Sequence, residues 1–282
     1  MSYPKLSYYK YRPLYADKSR GIPNQYTRAA IEASEIYYAT PKDLNDPFDC
    51  NLKLHANDSP DTEWEGYIDN LIIKYPAREA QLRQIKHDKS WLSHPELRQV
   101  GKINSRTIYE ESSVFCLSKK PNSIPMFSYY ADEHRGLALE FSFSDIEVPC
   151  GIPFGDINTP DSWYDRKVIF RDVEYQSHFP ELNYIRLNGF PQLTISLMFT
   201  KYIEWCHEEE FRIFRRKVPA STVVYDKRLL TRIILGARTE DKDIDLLKSW
   251  LHVHPTPVIL SKAVPSTSSF DLFVNDVEVF KP

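Results

Sequence analysis

The chain has 282 residues, of which 42% are hydrophobic and 27% charged, enough apolar content to bury a core and too much for a disordered chain. Its net charge of −3 lacks the basic excess of a general nucleic-acid binder, although a local basic groove is compatible with that total. No apolar run reaches the ~18 residues that span a bilayer, and Met1-Ser-Tyr-Pro-Lys-Leu6 lacks a signal-peptide pattern, so a soluble cytoplasmic protein with no membrane partner is expected.

In chain order, Ser7 to Leu14 is rich in β-formers and predicts a strand stopped at Pro13. A helix is expected from about Gln25 to Ser34 with Asn24 as its N-cap, then a short strand from Ile36 to Thr40. Thr40 to Asp49 holds two prolines and several Asn and Asp residues and predicts a turn-rich loop. Residues 60–111 predict a helical insert, because Trp64, Tyr67, Ile68, Leu71, Ile72 and Tyr75 recur at helical spacing. Ser113 to Ser118 predicts a strand. A short helix carrying Met126, Phe127 and Tyr130 follows, with Gly136 as its stop, and Leu137 to Phe143 alternates as a strand does.

Val168 to Tyr175 predicts a further strand, Gln192 to about Trp205 a helix, and Phe211 to Phe214 and Arg232 to Gly236 two more strands. Asp241 to Leu251 reads as an amphipathic helix capped by Thr239, and three short strands near 257–261, 270–274 and 277–280 close the chain. Irregular alternation with several strands adjacent in sequence indicates one α+β domain over residues 1–282 rather than a doubly wound sheet. The chain has 8 glycines and neither GxGxxG nor GxxxxGK[ST], which excludes the usual Rossmann and P-loop phosphate cradles. Cys50, Cys116, Cys150 and Cys206 form no CxxC pair. They read as reduced thiols. His207, His252 and His254 fall in no HExxH or deaminase pattern, and no metal site is expected.

Four short motifs carry chemistry. In Trp205-Cys-His-Glu208-Glu-Glu210-Phe-Arg212, an extended chain would put Glu208, Glu210 and Arg212 on one face, where paired carboxylates perturb each other's pKa and suit acid–base or cation-stabilising work. A solvated strand edge with a Glu–Arg ladder would carry the same residues. Ser118 ends a strand ahead of an aromatic helix and could form a cleft wall or merely cap a turn. In Tyr9-Lys10-Tyr11-Arg12, basic residues alternate with aromatics, as in a strand that holds a phosphate or ribose and equally in an edge strand. Asn45-Asp-Pro-Phe-Asp49 predicts a rigid Asx-type turn with Phe48 anchored in the core, or a carboxylate-bearing loop.

Together, Tyr9 to Arg12, Asn45 to Asp49, Cys116-x-Ser118 with Met126-Phe-x-x-Tyr130-Ala131, and Trp205 to Arg212 resemble a bacterial family known only as a domain of unknown function. Phe127 and Phe211 stand where Trp is commoner in that family. The same order resembles, remotely, the three-part signature of ADP-ribosyltransferases. That resemblance implies split β-sheets and NAD as substrate, with no metal. It implies Glu210 as the carboxylate that stabilises the oxocarbenium-like ribose, Glu208 as the residue that orients the acceptor, and Ser118 as a positioning group. Arg12, with Tyr11 and Lys10, would anchor the cofactor, and Tyr129 or Tyr130 would stack on nicotinamide. The acceptor would be a protein or nucleic acid in a transferase, or water in a glycohydrolase. An active transferase would suit a toxin or anti-phage role. Two other classes stay open: a metal-dependent nuclease or phosphodiesterase built on Asp46, Asp49, Glu208 and Glu210, and a non-catalytic nucleotide-binding module.

Overall fold

The computed structural model describes residues 6–19, 21–51, 54–56, 58–94, 97, 106, 108–142, 168–180, 182–186, 190–252 and 254–281. Cys150, Phe143 and parts of the expected insert near 95–107 lie outside them. The fold is α+β, built on one mixed eight-stranded sheet. Its strands are β1 (Ser7–Arg12), β2 (Ser113–Ser118), β3 (Leu137–Ser142), β4 (Val168–Asp172), β5 (Glu210–Arg215), β6 (Leu230–Leu235), β7 (Val258–Pro265) and β8 (Leu272–Phe280). Their spatial order is β8-β7-β6-β3-β1-β2-β5-β4, antiparallel throughout except for the β6–β7 pair.

The sheet is nearly split in two. Strand β1 pairs with β3 along its whole length, from Ser7↔Ser142 to Arg12↔Leu137, but it meets β2 at the single register pair Tyr9↔Ser118. On the far side, β2 pairs with β5 along its whole length, from Ser118↔Glu210 to Ser113↔Arg215. Five strands therefore hinge on three through one Tyr–Ser contact. Directly opposed residues share a sheet face, so Tyr9, Ser118 and Glu210 point the same way.

Helices cover both faces. Helix α1 (Gln25–Glu32) starts at Asn24, whose side chain accepts from the Tyr26 and Thr27 amides. Helix α6 (Asp241–Leu251) packs beside it through Leu247, Trp250 and Leu251 onto Leu137, Leu139, Phe141 and Ile233. On the opposite face, α4 (Ile124–Tyr130) lays Met126 and Phe127 over Tyr9, Tyr11, Ala138 and Ile234 of the five-stranded half. There α5 (Phe190–Phe199) lays Leu197, Met198 and Phe199 over Val114, Ile169 and Phe214 of the three-stranded half. The space between α4 and α5 lies above the hinge. Helices α2 (Asp61–Lys74) and α3 (Glu79–His87) form a satellite core around Trp64, Ile68, Leu82, Ile85 and Trp91.

Several expectations shift. The helix expected to run to Trp205 stops at Phe199, and Thr200–Tyr202 is a short strand that pairs with Glu174–Gln176. The α6 cap is Glu240, not Thr239: its side chain and that of Asp243 form a reciprocal capping box. The closing segment is one long hairpin, β7–β8, with a register shift between Leu260 and Ser261, rather than three strands. Strand β3 is buried at all six positions, because helices cover both of its faces.

Helix α4 ends at Tyr130, well before Gly136. The chain returns through Asp132, Glu133 and His134, all in the left-handed region. Gly136 and Gly236 then meet, Gly236 N–H donating to the Gly136 carbonyl at 2.8 Å. A Cβ on Gly236 would stand 2.2 Å from the His134 carbonyl oxygen, whereas one on Gly66, exposed on α2, would meet nothing within 4 Å. Gly236→Ala should therefore cost about 1–3 kcal/mol in urea unfolding, as overpacking does. Gly66→Ala should be neutral or stabilise by up to about 1 kcal/mol through helix propensity.

Candidate functional site

The hinge floor is a buried lattice of charge. Arg212, fully buried on β5, donates from Nε and Nη2 to the two Glu210 oxygens at 2.6 and 2.8 Å, and from Nη1 and Nη2 to the two Asp49 oxygens at 2.7 and 2.6 Å. Both contacts are two-pronged, the geometry in which a guanidinium binds carboxylate best. Nη1 also donates to the Met198 carbonyl at the end of α5, at 2.7 Å. Lys201 supplies the second cation. Its Nζ lies 2.5 Å from Glu208 Oε2, 3.3 Å from Glu210 Oε2 and 3.5 Å from Asp49 Oδ2, and sits over the Trp205 ring. Three carboxylates and two cations are thus closed into one network with at most 5% side-chain exposure each.

Burial pushes the Glu210 carboxyl up, but Arg212 and Lys201 outweigh it and hold it far below 4.5. Burial likewise disfavours the charge on Lys201 and Arg212, and the surrounding carboxylates reverse that, leaving both well above their ordinary values. Lys10 goes the other way: burial lowers its pKa, and its Nζ donates to the Cys116 carbonyl at 2.8 Å across the gap between β1 and β2.

Glu208 does not lie on the strand. It ends a 3-10 turn over Ile203–Glu208, and Glu209 follows in the left-handed region at φ 40°. The expected extended run from Glu208 is therefore broken. Glu208 and Glu210 still converge, because the turn folds the first carboxylate back onto Lys201. Ser118 fixes that turn: its hydroxyl donates to the Glu208 carbonyl at 2.7 Å and accepts from the Lys120 amide. Tyr130, at the end of α4, donates to Glu208 Oε1 at 2.6 Å and accepts from Asn45 Nδ2 at 2.9 Å. Burial, then the Glu208 charge, raises the Tyr130 phenol, which keeps it a donor at neutral pH.

Above this floor opens a cleft between the sheet and α4. Of the residues the motifs singled out, Lys10, Tyr11, Ser118, Tyr130, Glu208 and Glu210 line it, together with Tyr9, Asn45, Asp49 and Lys201. Tyr11 acts there as packing: its ring meets Phe127 edge-on and its hydroxyl donates to the Lys120 carbonyl at 2.6 Å. Arg12 and Tyr129 are not brought in. Arg12 stands at the far end of β1, its buried Nε without a hydrogen-bond partner among the described residues. Tyr129 is 71% exposed beside His207. The solvated-edge reading of the Glu–Arg motif fails, because β5 is an interior strand between β2 and β4. Phe48 does not anchor its loop, being 62% exposed; Asp49 does so by its ion pair with Arg212.

Lys201 was missed by motif reading. The signal was a lone lysine two residues after the apolar run Leu197-Met-Phe199, which a continuing helix would have buried without a partner. A divalent-metal reading of Asp49, Glu208 and Glu210 meets a physical obstacle, since the Lys201 ammonium occupies the point on which they converge. The chain matches no family model, no curated protein and no solved structure. No helix among the described residues is long and apolar enough to cross a membrane.

Arg212→Met would leave two buried carboxylates short of their cation and should cost about 3–5 kcal/mol, read from the denaturation midpoint. Glu210 has a folded-state pKa below its unfolded value. Its contribution is therefore full above about 4.5 and lost as pH falls through the depressed value. The stability gap between wild type and Glu210→Gln should be widest near neutrality and shrink on acidification below 4.5.

Proposed function

We propose that the cleft binds NAD and breaks its nicotinamide–ribose bond, as an ADP-ribosyltransferase or NAD glycohydrolase does. One observation carries this reading: Glu208 sits on the floor of a cleft at the sheet hinge, held at one oxygen by Tyr130 and at the other by Lys201. Each of its oxygens keeps acceptor capacity for a ribose hydroxyl. The roles implied by the sequence resemblance are accordingly exchanged. Glu210 spends both oxygens on Arg212 and Lys201 and serves as the anchor; Glu208 faces the ligand.

In the reaction, the bond between ribose C1′ and the nicotinamide nitrogen breaks, and its electron pair leaves with neutral nicotinamide. Positive charge develops at C1′ and the ring oxygen, as in glycoside cleavage. Glu208, fixed before the ligand arrives, stabilises that charge without reorganising. An acceptor hydroxyl, amine or water then bonds to C1′ and gives up its proton to solvent. Ser118 acts through Glu208 by holding its backbone, so it is a positioning residue. Tyr9, Tyr37 and Tyr130 give the cleft an aromatic wall against which a cationic pyridinium can pack.

Nicotinamide release from NAD by the purified protein tests this. Glu208→Gln should lower the rate about 100-fold or more, the scale on which a preorganised electrostatic group acts, while the thermal transition stays cooperative. Tyr130→Phe should lower it less. Release that is equal in wild type and Glu208→Gln, or a wild type that neither cleaves nor binds NAD, would remove the reading.

A further inference from the structure

A second pocket shares a wall with the first. Asp49 and Lys201 line both. Its own lining comes from the Asn45–Asp49 loop, from Gln176 to Pro180, and from Thr200 to Tyr202. Three large aromatic side chains stand exposed around it: Phe48 at 62%, Phe179 at 54% and Tyr202 at 46%. Phe48 and Phe179 meet edge to face at 6.3 Å, so each keeps a ring face open.

Asp46 lines this pocket and is 94% buried, at 6% relative exposure. Its Oδ1 accepts from the Phe48 amide at 2.9 Å, which leaves Oδ2 as the acceptor toward the pocket. A carboxylate in the wall of an aromatic pocket can accept from an N–H donor that enters it. Gln176, exposed on the same wall, offers a side-chain amide that both donates and accepts. Stacking faces, one carboxylate oxygen and one amide are what read a planar base with an exocyclic amino group. The balanced charge of the chain favours a single nucleoside over a nucleic-acid strand.

We infer that this pocket is a binding site for an amino-bearing nucleobase, stacked on Phe179, with its amino group donating to Asp46 Oδ2. The site does not depend on the NAD reading of the neighbouring cleft. Calorimetric titration of the full chain with adenosine tests it, with purine riboside, which lacks the amino group, as comparator. Adenosine should bind one to one and at least ten-fold more tightly than purine riboside. Asp46→Asn should erase that difference; it keeps an oxygen for the Phe48 amide. Phe179→Ala should weaken both ligands at least ten-fold, and Tyr130→Phe in the cleft should change neither. Absence of adenosine binding would overturn the inference. So would loss of binding in Tyr130→Phe with retention in Phe179→Ala, which would put the base in the cleft. Binding of agmatine but not adenosine would assign Asp46 to a guanidinium and overturn it too. A failure of the NAD reading appears at Glu208→Gln, and a failure here at Phe179→Ala.

Discussion

The structure turns on the burial of Arg212. A guanidinium removed from water costs several kcal/mol, and attraction offsets that only where its hydrogen bonds are well made. Here two carboxylates meet it two-pronged and the Met198 carbonyl takes a further N–H. Those partners come from separate parts of the chain: Glu210 from β5, Asp49 from the loop before the insert, and Met198 from α5. One residue therefore ties the three-stranded half of the sheet to the loop and helix that cover it. The arrangement is demanding rather than strongly stabilising, and what it secures is geometry. Lys201 extends the lattice by one more cation and reaches the Glu208 carboxylate.

The sheet hinge and this lattice make the cleft together. Because β1 and β2 share only the Tyr9–Ser118 pair, the sheet has a gap that Lys10 crosses to reach the Cys116 carbonyl. Ser118 is at once the last paired residue and the holder of the Glu208 turn. The topology that opens the cleft thus also sets the carboxylate at its floor. On the opposite wall Tyr130 closes from α4, and Asn45 passes the hydrogen-bond chain on to the loop that Asp49 anchors. Aromatic walls over a paired acidic floor suit a flat cationic ligand, which is why NAD is the substrate proposed.

Where local chemistry decided structure, the sequence was readable. Asn24 caps α1, Ser113–Ser118 is a strand to the residue, and Asp241–Leu251 is the expected amphipathic helix. Where burial decided it, local reading failed. An apolar run reads as helix beyond Phe199, but Lys201 and Thr200 leave the helix because the lysine has buried carboxylates to meet and the strand has Glu174–Gln176 to pair with. The final hairpin carries Asn275 and Asp276 in mid-strand, residues that signal a turn, yet Asp276 is held by Ser261 and Arg232 across the sheet. The motif residues Glu208, Glu210, Ser118 and Tyr130 do converge, although the extended geometry that suggested it is absent. Arg12 does not join them: it lies on the same face of β1 as Lys10, at the strand end remote from the Tyr9 hinge, and spacing alone could not show how far the strands diverge there.

In the proposed mechanism Glu208 is the ligand-facing carboxylate and Glu210 its anchor. A crystal structure of Glu208→Gln soaked with NAD tests it most directly. The nicotinamide ribose moiety should lie in the cleft above the hinge, with a ribose hydroxyl within hydrogen-bond distance of residue 208, and with Glu210 still clasped by Arg212. NAD bound elsewhere, or a ribose contacting Glu210 after Arg212 has let it go, would contradict it.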